Sequence, residues 1–297
     1  MNNAVHGYNH QGDGMESYAY NTFFTLDEAR DLAQKTLEQC RARSMRTSQE
    51  LCFSHGTRLQ LAGMTATLNY KPNYDPNKLH VTVSGAERLS NLTETQCHYW
   101  GHGIDQTMID DLIAVVSVEQ ALCQIAQFVD VESMVIALDW ATCRNEHLKQ
   151  TTKDKISLFL TDIGRFPGIR LFRKALSLCR ENTDSPQESI LRLESVKRGL
   201  PELEVNAPIY LPLQNKEVVV DMVYPNDHVI LEYDGRYHYD RNRWEGDIEK
   251  RNNLSFAGYK TFPATRRTFA TTQNLDEYFR IVGSAIAEYR NTGSFSQ

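Results

Sequence analysis

Three carboxylates inside two strand-like segments constrain this chain more than any other feature. Residues 217–238 read EVVVDMVYPNDHVILEYDGRYH, where two runs of Val, Ile, Leu and Met flank a Pro-Asn-Asp turn. This pattern predicts a β-hairpin of well-buried strands. Asp221 lies in the first run, and Glu232 and Asp234 lie in the second. Because ionised carboxylates among apolar neighbours are costly without a cation or hydrogen-bond donors, the segment predicts a metal site.

The relation between Asp221 and Glu232 depends on the loop that joins the two strands. Strand side chains alternate between faces, so an even-length loop sets these residues directly across from each other, with Cβ atoms about 4.5–5.5 Å apart. Asp234 then shares the face of Glu232, and His238 follows the strand end. Like charges this close favour a hard divalent cation such as Mg²⁺. An odd-length loop would place Asp221 and Glu232 on opposite faces and remove the site.

Length and charge limit what the whole chain can be. Its 297 residues are enough for two domains, each with its own core. The 32 Lys and Arg against 38 Asp and Glu give a net charge of −6, so DNA affinity must come from local patches or bridging cations. Six cysteines without a C-x-x-C pair suit free thiols in a reducing compartment. Since no apolar run reaches a membrane-spanning length, we expect a cytoplasmic protein.

The N-terminal third predicts a small α+β region. Residues 1–20 have no apolar period, which predicts a disordered N-terminus. Residues 21–105 combine a helix, a short helix in SHGTRLQLAGM (54–64), and strands in LHVTVSG (79–85) and QCHYWG (96–101). This order is typical of a winged helix that binds DNA, although other small α+β domains share it.

The rest of the chain predicts a helical linker and an α/β domain. Residues 106–184 are expected to be mostly helical from about residue 108, and the polar stretch ENTDSP at 181–186 predicts a domain boundary. Residues 185–297 follow as helix, three strands, helix, strand and helix, which predicts a compact α/β layer. The predicted linker helices cover about residues 118–128, 132–144, 153–162 and 169–180.

Five short segments of the C-terminal third form a specific combination. They are SPQESILR (185–192), GLPELEV (199–205), VDMVYP (220–225), VILEYDGRYH (229–238) and the W-x-x-D-x-x-x-R spacing of Trp244, Asp247 and Arg251. Together they resemble a very-short-patch-repair-type endonuclease domain of the restriction-endonuclease-like, or PD-(D/E)xK, superfamily. The resemblance covers residues 185–290 and implies an α/β domain with a central mixed sheet.

The resemblance also implies a catalytic set. Glu188 is the acid of the first helix, Asp221 the motif Asp, and Glu232 the (D/E)xK acid. Asp234 stands where the superfamily usually has its Lys, and the very-short-patch-repair branch instead uses a His after the strand, at the place of His238. Asp234 then either orients His238 or forms the turn before a glycine. Glu188 lies in a first helical turn, where the helix dipole alone also favours an acid.

A metal site follows from the same resemblance. Asp221, Glu232 and the backbone carbonyl of Tyr233 are expected to bind Mg²⁺ or Mn²⁺, with Glu188 completing the ligand shell through water. The metal would acidify a bound water and polarise the scissile phosphate. His238 would accept the proton of the attacking water, unless it is only a hydrogen-bonded loop histidine.

A basic and aromatic cluster follows the second strand of the hairpin. Its cations can hold a phosphate backbone and its rings can stack on a base, so we predict nucleic-acid binding there. Tyr237 and Trp244 equally suit a core. The cluster consists of Arg236, Tyr237, Arg241, Arg243 and Trp244.

The N-terminal segments 54–64 and 79–85 are similar to the winged-helix and linker regions of abortive-infection antitoxins of the AbiEi type. That resemblance covers about residues 25–180 and implies a cognate toxin, or a repair or defence protein, as a partner besides DNA.

Two functions therefore remain open from the sequence. One is a metal-dependent DNA endonuclease or nickase of the very-short-patch-repair type, which hydrolyses phosphodiester bonds in repair or defence. The other is a catalytically inactive DNA-binding regulator, an antitoxin-like transcriptional repressor. The acidic set with His238 favours the enzyme, whereas the negative net charge and the absent Lys favour the regulator.

Overall fold

The fold combines helices with two mixed β-sheets, as the α+β and α/β patterns predict. None of the helices in the described part of the chain has both the length and the apolar character that a membrane span requires. The predicted disordered segment, residues 1–20, lies outside the described residues. The structure, a computed structural model, describes residues 26–85, 94–234 and 241–295, without the side chains of 241–245 and 247.

The N-terminal region is built on a five-stranded sheet with strand order β3-β2-β1-β5-β4. β1 lies at its centre, antiparallel to β2 and parallel to β5. Strands β2 and β3 confirm the two strands predicted after the short helix. The elements are α1 (Leu26–Ser44), β1 (Cys52–Phe53), α2 (His55–Leu61), β2 (Leu79–Val83), β3 (Thr95–Tyr99), β4 (Gln106–Asp110) and β5 (Ile113–Val116).

Strands β4 and β5 differ from the prediction of a mostly helical chain after about residue 108. The sequence IAVV of β5 is rich in β-branched residues and is buried along its whole length, where it pairs with the central strand β1. Periodicity cannot distinguish so short a buried run from helix. The predicted boundary between residues 105 and 106 therefore separates strands of one sheet, and this sheet is larger than the strand pair expected of a winged helix.

Buried imidazoles connect the sheet to the loop that precedes β2. His80 Nε2 lies 2.9 Å from the carbonyl oxygen of Asp75, and because a carbonyl only accepts, this nitrogen carries the proton. Neutral His80 then accepts at Nδ1 from His98 Nε2 at 2.9 Å, while its ring stacks on Tyr74. Burial lowers the pKa of His80 to about 3 and of His98 to about 4. These groups therefore serve as neutral hydrogen-bonding partners.

Four helices form the middle of the chain and confirm the four predicted there. Ser117, Asp130 and Thr152 cap the first three, since each side-chain oxygen accepts a backbone N–H three residues further on. α4 is buried from residue 133 to its end and forms the centre of the core. The helices are α3 (Val118–Ile125), α4 (Val131–Ala141), α5 (Lys153–Ile163) and α6 (Ile169–Leu178).

The C-terminal region has the predicted order of helix, three strands, helix, strand and helix. Its sheet has the order β6-β7-β8-β9, with β6, β7 and β8 antiparallel and β9 parallel to β8, which makes it mixed. Ser185 caps the first helix, as predicted. The elements are α7 (Pro186–Lys197), β6 (Glu204–Leu211), β7 (Lys216–Tyr224), β8 (Val229–Asp234), α8 (Arg241–Phe256), β9 (Lys260–Thr265) and α9 (Thr272–Thr292).

One apolar core continues from the middle helices into the C-terminal sheet. Leu138 of α4, Leu191 of α7 and Met222 of β7 belong to it and are fully buried. The polar stretch 181–186 is also attached to the middle helices, because Arg144 N donates a hydrogen bond to the carbonyl oxygen of Thr183. Residues 181–186, which were predicted to be a domain boundary because they are polar, thus pack against the residues that follow α4.

A buried ion pair joins α4 to α7. Asp139 on α4 is fully buried, and its Oδ2 accepts from Arg192 Nη2 at 2.8 Å and from Ser189 Oγ at 2.7 Å. Its Oδ1 accepts from the backbone N–H of Arg180, just after α6. The buried carboxylate is thus compensated by a cation and by hydrogen-bond donors, as a buried ion pair requires. It fixes the start of the C-terminal region against the middle helices.

Removal of the Asp139 carboxylate should destabilise the whole fold. Asp139→Ala leaves Arg192 buried without its anion, and we expect a loss of about 3–5 kcal/mol in the free energy of unfolding. Urea denaturation followed by circular dichroism measures this loss. Glu94→Ala removes the exposed partner of Arg46 and is the control, for which we expect little change. Equal losses in the two variants would contradict the central role of Asp139.

Candidate active site

The turn between β7 and β8 has the even length that the predicted site requires. Four residues, 225–228, connect the strands, and the first three form a 3₁₀ turn. One step beyond the paired residues, the same register places Asp221 across from Glu232. The paired residues are Met222 with Leu231, Val223 with Ile230 and Tyr224 with Val229.

The Asp221 side chain occupies a gap in the backbone pairing of the sheet. Its Oδ2 accepts a hydrogen bond of 2.8 Å from the backbone N–H of Tyr233, in the place of a strand carbonyl. On the other side, β6 pairs with β7 before and after the position of Asn206, whose φ of +50° is left-handed. Asp221 therefore lies where the pairing with β6 is interrupted and just beyond the last residue pair with β8, and its carboxylate binds the Tyr233 N–H there.

Glu232 has a cationic partner that the sequence analysis missed. Lys250 of α8 approaches with its Nζ 2.6 Å from Glu232 Oε1, and both side chains are more than two-thirds buried. The sequence did contain a signal for this partner, because Lys250 directly precedes Arg251 on the helix that follows the strand of Glu232. An ammonium group thus reaches Glu232 from a helix rather than from the strand itself.

Glu188 belongs both to the cap of α7 and to the acidic cluster. Its backbone N–H donates to Ser185 Oγ, the N-cap of α7, and its carboxylate accepts from the backbone N–H of Asp184 at 2.9 Å and from Ser185 Oγ at 3.0 Å, an arrangement similar to a capping box. Asn206 Nδ2 lies 3.3 Å from the same carboxylate. Burial, reinforced by the charge of Asp221, raises the pKa of Glu188 to about 8. One side chain therefore both caps α7 and lies near the carboxylate of Asp221.

The cluster holds more negative charge than its described cation balances. Burial raises the pKa of Asp221, the charge of Glu232 raises it further, and Lys250 acts in the opposite direction. Asp221 and Glu232 therefore share one ammonium group, that of Lys250.

This charge balance fits a divalent cation. Mg²⁺ is usually bound through one or two carboxylates with water completing its shell, and Asp221 and Glu232 supply two carboxylates on residues that lie across from each other. Within the described ranges, no three His, Cys, Asp or Glu side chains lie close enough to share a metal ion. Any such ion would therefore rest on these two carboxylates with carbonyl or water ligands.

The other predicted site residues divide into two groups. Asp234 is exposed at the end of β8, where it pairs in register with Thr265, and the Tyr233 ring contacts Phe269 edge-on. The remaining predictions have no described side chain. His238, Arg236 and Tyr237 lie outside the described residues, while Arg241, Arg243 and Trp244 are described only as backbone of α8.

Comparison of the chain with protein-family models, curated protein sequences and solved structures finds no match. The function must therefore be inferred from the residues and geometry of the site itself.

The raised pKa of Glu188 should appear in the pH dependence of stability. Its carboxyl ionises near pH 4.5 in the unfolded chain and near pH 8 in the folded one. Between these values the unfolded state releases a proton that the folded state keeps, so stability falls as pH rises, by at most roughly 1.4 kcal/mol per pH unit. Glu188→Gln should remove this slope.

Denaturant unfolding at pH 5, 6, 7 and 8 measures the effect, and Glu277→Gln, the same change at an exposed position, is the matched control. Identical slopes for the wild-type protein and Glu188→Gln would show that Glu188 ionises alike in both states.

Proposed function

We propose that the C-terminal region is a metal-dependent DNA endonuclease or nickase domain that hydrolyses phosphodiester bonds in repair or defence. One observation carries the proposal: the sheet sets Asp221 across from Glu232, and Lys250 Nζ lies beside the second of these carboxylates. The mixed sheet, the helix order and the buried Glu188 agree with the resemblance to very-short-patch-repair-type endonucleases. Mg²⁺ or Mn²⁺ is the proposed cofactor.

The residues of the chain have separate tasks in this proposal. Asp221 and Glu232 hold the cation, which when bound polarises the phosphate and acidifies a water. Lys250 places a positive charge beside Glu232, where negative charge builds up on a phosphate during hydrolysis. Glu188 carries its proton at neutral pH and so limits the repulsion against Asp221. His238 remains the proposed acceptor for the proton of the attacking water.

Replacement of Asp221 tests the nuclease proposal directly. We expect the wild-type protein to cut or nick supercoiled DNA with Mg²⁺ or Mn²⁺, and Asp221→Asn to abolish cleavage, because the amide keeps an acceptor for Tyr233 N–H but loses the charge. Glu217→Gln changes an exposed acid of the same strand and should cleave normally. Agarose-gel conversion of supercoiled to nicked and linear plasmid provides the measurement.

Lys250 should affect catalysis more than binding. Lys250→Met is expected to slow cleavage at saturating metal concentration while DNA binding with Ca²⁺ is retained, and Lys250→Arg should recover part of the rate because its charge remains. Lys216→Met, at an exposed position of β7, is the control. If Lys250→Met cleaves at the wild-type rate, the ammonium group only balances the charge of Glu232.

A DNA-binding regulator is the alternative that the same site allows. The Lys250–Glu232 ion pair and the proton on Glu188 lower the net negative charge of the cluster without a metal, as an inactive domain would need. If the wild-type protein binds DNA but cuts no DNA form with either metal, this alternative replaces the nuclease proposal.

A further inference from the structure

Helix α6 presents a basic face that neither the active site nor the predicted nucleic-acid cluster includes. Residues 163–180 contain five Lys or Arg and no Asp or Glu. Arg170, Arg173 and Lys174 lie at positions i, i+3 and i+4, so they share one face of the helix, and all three are exposed. Arg165, just before the helix, is exposed as well.

These four side chains have no acidic partner among the described residues. Several other arginines of the chain are paired with acids: Arg41 lies 2.7 Å from Asp110, for example, and Arg46 lies 3.4 Å from Glu94. An unpaired positive surface is unusual here, because the whole chain carries a net charge of −6. The local field of α6 therefore opposes that of the protein and attracts anions.

The helix that carries this face is rigidly held. Phe172 and Ala175 on its opposite side are fully buried in the main core. Gly168 at its N-terminus has a φ of +91°, and a Cβ there would lie only 2.6 Å from the backbone nitrogen of Gln127. This close approach fixes the start of α6 against the end of α3, so its cations are presented from a fixed backbone.

We propose that the face formed by Arg170, Arg173 and Lys174 binds the phosphate backbone of duplex DNA. Guanidinium groups suit phosphate oxygens in charge and in hydrogen-bond geometry, and contacts to phosphates position a protein on DNA without reading its sequence. The choice of DNA as the polyanion rests on the proposed nuclease function, whereas the charge pattern of α6 is independent of it.

The hydrogen bonds that join α6, through α7, to the acidic cluster also support duplex DNA as the partner. The backbone N–H of Arg180, just after α6, donates to Asp139, and the carbonyl oxygen of Leu178 accepts from Arg192 of α7. α7 in turn carries Glu188 in its first turn. DNA bound at α6 would therefore be held by a helix that is hydrogen-bonded to α7, the helix that carries Glu188.

The test compares DNA binding by the wild-type protein and by the triple variant Arg170→Gln, Arg173→Gln, Lys174→Gln. Fluorescence anisotropy with a labelled duplex in EDTA, over a range of salt concentrations, gives the slope of log K against log salt. Each phosphate contact contributes about 0.9 to this slope, so three lost contacts should make it shallower by about 2.7. We expect binding about 10-fold weaker or more at moderate salt, and Arg173→Gln alone should lower the slope by about 0.9.

A matched control removes the same charge from dispersed exposed positions, by Lys35→Gln, Lys216→Gln and Arg280→Gln together. An equal loss of binding in the control and the α6 variant would overturn the proposal, because net charge alone would explain it. Binding of the wild-type protein to phosphatidylglycerol vesicles but not to DNA would also overturn it.

Cleavage by the same proteins, assayed in parallel with Mg²⁺, separates the two proposals. If the wild-type protein cuts DNA and the α6 variant binds DNA normally, only the surface proposal fails. If the wild-type protein does not cut and the α6 variant loses binding, the nuclease proposal fails and the surface proposal is supported.

Discussion

The buried carboxylate of Asp139 is the constraint on which the arrangement of the chain depends. It has no contact with solvent, and it is compensated by Arg192, by Ser189 and by the backbone N–H of Arg180. A charge in the core is tolerated only while all of these groups are in place. α4, the end of α6 and α7 are therefore held together, and Glu188 at the start of α7 is brought to the edge of the C-terminal sheet.

The carboxylates of the candidate site are also compensated, but less completely than Asp139. Asp221 takes a backbone donor from Tyr233, Glu232 takes the Lys250 ammonium group, and Glu188 retains a proton. Each acid is therefore compensated in a different way. In the proposed function, the basic face of α6 would supply the positive charge that a DNA backbone needs for binding, of which the site itself supplies little.

Much of the local structure was predictable because neighbouring residues control it. The Ser185 cap follows from short-range spacing, and side-chain alternation makes the facing positions of Asp221 and Glu232 depend only on the length of the loop between β7 and β8. Strands β4 and β5 were missed because a short buried run has no diagnostic period. Lys250 was missed because its contact with Glu232 joins residues 18 positions apart across a helix–sheet interface.

The sequence by itself determined the order of the C-terminal elements and the presence of strand carboxylates that require compensation, and it reduced the hairpin register to a choice between an even and an odd loop. These properties depend on side-chain alternation and turn length, which act within a few residues. Only the tertiary structure decided which groups compensate the acids, that one core continues across residues 181–186, and that the cations of α6 lack acidic partners among the described residues. The physical reason is that ion pairs and burial depend on contacts between residues distant in the chain, and no local pattern specifies them.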